Sequence, residues 1–65
     1  MPNTIIQQMI DHTNIEVKRA LYEYGKYGKT AYYHQCIHKI CGMLEMLQIA
    51  TGHKYKLTID GIVEA

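Results

Sequence analysis

Sixty-five residues with a formal charge of +1 make one domain, because half of such a chain could not enclose a core. At 48% hydrophobic and 20% charged, the composition is that of a globular chain and excludes a disordered one. The near-neutral balance selects neither nucleic acid nor an acidic ligand by bulk attraction, and no apolar run approaches the roughly 20 residues that span a bilayer.

A chain of this length buries only about 60% of the surface it exposes when unfolded, so a disulfide, a metal or self-association is expected to supplement its core. The first residues carry no basic segment followed by an apolar one, so cytoplasmic residence is the expectation and no membrane partner is foreseen. Cys36 and Cys41 are then reduced thiols. Five residues apart on one helix, they point about 140° away from each other and do not meet.

Thr4-Ile5-Ile6-Gln7 reads as a capping box that opens a helix over about residues 4–24. Ile6, Met9, Ile10, Thr13, Val17, Ala20, Leu21 and Tyr24 recur at three- and four-residue spacing and fall on one side of it. Gly25 stands where a left-handed cap would end that helix, and residues 25–29 form the connector, since Gly25 and Gly28 interrupt regular structure. Thr30 caps a second helix over about residues 30–51, whose stripe runs Tyr33, Cys36, Ile37, Ile40, Met43, Leu44, Leu47 and Ala50 up to Gly52. A loop this short sets the helices antiparallel.

Beyond Gly52 the period changes to two. Tyr55, Leu57 and Ile59 alternate with Lys56 and Thr58, and Asp60-Gly61 predicts a type I′ turn into Ile62-Val63. The expected fold is mainly α: a single domain over residues 1–65, an antiparallel two-helix hairpin with a β-hairpin-like tail at about residues 54–64. Ile15 and Tyr22 lie opposite the first stripe, and Cys41, Gly42, Met46 and Ile49 opposite the second. Glycine in mid-helix costs about 1 kcal/mol relative to alanine, so Gly42 suggests close approach by another backbone. Ile15, Gly42, Met46 and Ile49 are therefore the expected interface of a homodimer with four helices; scattered exposed apolar residues are the bland alternative.

Three constellations could carry chemistry. His34, His38, Cys41 and Glu45 share one helix face and offer zinc-type ligands, against which stands the absence of paired-ligand motifs. Gly25-Lys26-Tyr27-Gly28-Lys29-Thr30 imitates a phosphate loop, but Glu23 occupies the position of the required first glycine and no strand precedes it. Tyr22, Lys26, Tyr27, Lys29 and Tyr32 interleave aromatic faces with lysines around the connector. That pattern suits a protein partner, or less well a single-stranded nucleic acid. No serine is present, and Cys41, with His38 and Glu45 one turn to either side, has no pocket to hold a substrate.

The sequence therefore predicts a non-enzymatic interaction or regulatory module without cofactor, homo-oligomeric and docked on a larger protein, with nucleic-acid binding and metal binding as alternatives. Short cofactor-free chains with reduced cysteines are often accessory proteins of bacteria and their viruses, an association rather than a derivation.

Overall fold

The computed structural model describes residues 4–65. Helix α1 spans Thr4–Tyr27, α2 spans Ala31–Thr51, and strands β1 (Tyr55–Thr58) and β2 (Gly61–Glu64) follow. The chain is mainly helical, with a two-stranded antiparallel sheet at its C-terminal end. No helix among the described residues is long and apolar enough to cross a membrane.

The helix ends differ from the periodicity in two places. Thr4 is already helical, and the Gln7 amide donates forward to Asp11 Oδ1 at 2.9 Å instead of turning back to a cap. At the other end α1 passes through Gly25 and continues to Tyr27. Gly28, at φ 80°, takes the left-handed position, and its N–H closes on Tyr24 O at 2.9 Å. Lys26 supports the added turn by donating from Nζ to Tyr22 Oη at 2.9 Å. Thr30 then caps α2, its Oγ1 accepting from Tyr33 N at 3.1 Å and donating to Glu23 Oε2 at 2.7 Å. One hydroxyl thus starts the second helix and fastens it to the first. Gly52, at φ 76°, ends α2 with its N–H on Gln48 O.

The β-hairpin turns one residue earlier than Asp60-Gly61 predicts. Thr58 pairs with Gly61, so Ile59 and Asp60 form the turn, and neither has a positive φ. Thr58 Oγ1 holds the turn from inside, donating to Gly61 O at 2.6 Å and accepting from Asp60 N at 3.3 Å. The positive φ falls on Gly61, at 129°. A side chain there would also collide with α1, because a Cβ would stand 2.7 Å from Asn14 Oδ1. That same oxygen accepts from Ile62 N at 2.9 Å, which seats β2 on the first helix.

Ile62 is driven by this seating into the seam between the helices, where it joins Val17, Ala20, Cys36, Ile40 and Leu47 as the buried core. Thr13 is also fully buried; its hydroxyl is satisfied by Met9 O at 2.7 Å. The helices hold 24 and 21 residues and run about 36 and 31 Å. Strands of four residues reach only about 13 Å. The tail therefore covers part of the seam and leaves Leu21 and Tyr24, both in the first apolar stripe, 40% and 50% exposed.

Three substitutions test this account by denaturant titration. Asn14→Ala should cost about 1–2 kcal/mol through the orphaned Ile62 N–H, and Gly61→Ala should cost more, since it adds backbone strain to the collision. Gly42→Ala should instead raise stability by about 0.5–1 kcal/mol, because a Cβ there meets nothing within 4 Å.

Candidate functional site

The loop end gathers most of the tyrosines. Tyr22, Tyr27 and Tyr32 are 56%, 65% and 45% exposed. The Lys26 ammonium lies 5.2 Å from the Tyr22 ring centre and 6.0 Å from that of Tyr27, within cation–π range of both. Tyr24 and Tyr33 pack at a tilt across the two helices, with centroids 5.4 Å apart and ring planes at 38°, so an aromatic pair joins the hairpin end as well as the Thr30–Glu23 bond. Lys29 is exposed in the connector. Of the residues singled out from sequence, Tyr22 and Tyr32 come together as walls of one shallow cleft, which also takes in Lys18, Arg19 and Glu23.

Beneath that cleft lies a polar cluster that sequence reasoning missed. Glu16 is only 2% exposed, although it reads as an ordinary surface residue. Its Oε1 receives the Arg19 guanidinium at 3.0 Å, and it faces the buried Cys36 of α2, which in turn meets the Tyr32 hydroxyl. Burial pushes the Cys36 thiol above its ordinary range, and the Glu16 carboxylate adds to the rise while the Tyr32 hydrogen bond opposes it. Loss of solvent, then the bond to Cys36, raises Tyr32 as well. Cys36 is thus a protonated, inaccessible thiol rather than a nucleophile. The one sequence signal for this cluster was the Glu16/Arg19 spacing of three, and that spacing is commonplace on exposed helix faces.

The remaining faces are more dispersed. His34, His38, Cys41 and Glu45 are exposed along one side of α2, and the first and last of them stand about 16 Å apart along the axis. Among the described residues no three His, Cys, Asp or Glu side chains are grouped so as to hold a metal ion. Met46 and Ile49 are 54% and 80% exposed on the outer side of α2, and Ile15 is 49% exposed on α1. Gly42 lies in open space.

A further apolar feature lies beside the hairpin tip, on the seam between the helices. A groove of about 340 Å³ opens there. Its floor is Val17, Ala20 and Ile40, its walls Leu21, Ile37 and Tyr33, and its lower rim the hairpin tip. Leu57 and Ile59 of that tip are 43% and 78% exposed. No charged side chain lines it.

The two thiols should separate cleanly. With a thiol-specific chromophore at neutral pH, exposed Cys41 should react first and buried Cys36 on the order of 100-fold more slowly. The raised Cys36 value means that the fold favours the thiol over the thiolate. Its contribution to stability is therefore complete below the ordinary thiol range and lost as the pH rises through it; stability measured against pH should fall on the alkaline side, less steeply in Cys36→Ala.

No family model, curated protein or solved structure matches this chain.

Proposed function

We propose that the chain is a small non-enzymatic interaction module, acting as a homo-oligomer, which docks on a larger protein through Tyr22, Lys26, Tyr27, Lys29 and Tyr32. The observation that carries this reading is Lys26, whose Nζ bonds Tyr22 Oη while lying in cation–π range of both Tyr22 and Tyr27. Exposed tyrosines held in place lose little entropy on binding and offer both apolar area and a hydroxyl, the combination enriched at protein interfaces.

Electrostatics favour a protein over a nucleic acid. Arg19 is paired with Glu16, Glu23 lies among the cleft residues, and the whole chain carries only +1. A strand of phosphates calls for a run of uncompensated cations. The neutral, buried Cys36 thiol supports a binding role over nucleophilic chemistry.

Tyr27→Ala should weaken capture of a specific protein partner about 10-fold and leave the circular dichroism unchanged, since Tyr27 is 65% exposed. Quantitative affinity purification against the unsubstituted chain reads the change. Equal recovery by Tyr27→Ala and by Tyr22→Ala would remove this surface from consideration, and oligonucleotide binding that declines steeply with salt would install the nucleic-acid reading instead.

A further inference from the structure

The homo-oligomer in the reading above requires a contact surface, and the apolar groove beside the hairpin tip meets the physical requirements for one. A two-fold contact is self-complementary: a single patch must supply both the projection and the recess that receives it. This patch does so. Ile59 projects at 78% exposure from the rim of a recess floored by Val17, Ala20 and Ile40, themselves only 1–2% exposed.

Area points the same way. The chain exposes 4801 Å², whereas a folded monomer of its mass is expected to expose about 4,250 Å². Its radius of gyration is 12.1 Å, against about 10.8 Å for a compact domain of this length. A stable dimer takes about 800 Å² from each partner. The excess of roughly 550 Å² over the expected exposure is a large part of that amount. The groove has no charged lining to desolvate, and a net charge of +1 leaves two copies without strong mutual repulsion.

We propose that a second copy of this chain covers the groove, the two copies related by a two-fold axis and each seating its Ile59 turn in the other's recess. The proposal rests on the homo-oligomer reading and moves the contact from the outer side of α2, where Gly42, Met46 and Ile49 lie, to the side that carries the tail. The partner-binding tyrosines at the loop end are a separate surface.

Sedimentation equilibrium of the full chain should give twice the 7.5 kDa chain mass. Ile59→Asp, which alters an exposed turn residue, should weaken association on the order of 100-fold by burying an unpaired carboxylate, with circular dichroism unchanged. Leu21→Asp, on the opposite wall, should do the same. Met46→Asp and Tyr27→Ala should leave the mass at that of a dimer, which separates failure of the dimer from failure of partner docking. In a mixture of labelled and unlabelled chains, isotope-filtered NOEs should connect Ile59 methyls of one copy to Val17 and Ile37 methyls of the other. A monomer at millimolar concentration would overturn the proposal. So would a dimer that survives both groove variants, or one abolished by Met46→Asp while those NOEs are absent.

Discussion

Everything in this molecule is arranged around an apolar seam longer than the element that covers it. The helices are about 36 and 31 Å long, whereas the four-residue strands of the hairpin reach only about 13 Å. Where Ile62 enters, the seam is a core, with Ile40 and Leu47 excluded from solvent. Past the hairpin tip the same stripe, still written in Leu21, Ile37 and Tyr33, becomes a surface. Core and groove are one pattern, divided by the reach of the tail.

The seam is not wholly apolar, since Thr13 and Glu16 are buried in α1. Glu16 is held there by Arg19, whose side chain remains 55% exposed, so the pair bridges interior and solvent and keeps part of its hydration. Taking a carboxylate out of water is expensive unless its partners are well placed. Among the described residues no buried side-chain nitrogen or oxygen lacks a hydrogen-bond partner. The chain therefore tolerates a charge in a thin core without leaving it unpaired.

The two helices were legible because Val17 and Ala20, and Ile40 and Leu47, keep their helical spacing without interruption. Thr30 and Gly52 announced their positions through local chemistry that the structure uses. The end of α1 was harder to read: Gly25 and Gly28 are equally able to terminate a helix, and the choice depends on which N–H reaches a carbonyl one turn back, here Gly28 to Tyr24. The hairpin turn departs from its local signal for a tertiary reason. Asp-Gly favours a type I′ turn locally, but Asn14, 48 residues away from Ile62 in the chain, requires Gly61 at its side and shifts the turn to Ile59-Asp60. The burial of Glu16 is not legible in the sequence, because a lone carboxylate on an amphipathic helix is ordinarily solvated. The groove was invisible too, since it depends on where another element stops.

That separation of 48 residues also fixes an order of assembly. The contacts along the helical hairpin close through a short loop, whereas the Asn14–Ile62 bond must wait until Ile62 itself has been added to the chain. During synthesis from the N-terminus both helices emerge before the strand that covers them. For that interval the entire seam is bare, and another nascent chain presents the same bare stripe. The tail thus acts as a late closure that decides how much of the seam is withdrawn from water within the chain.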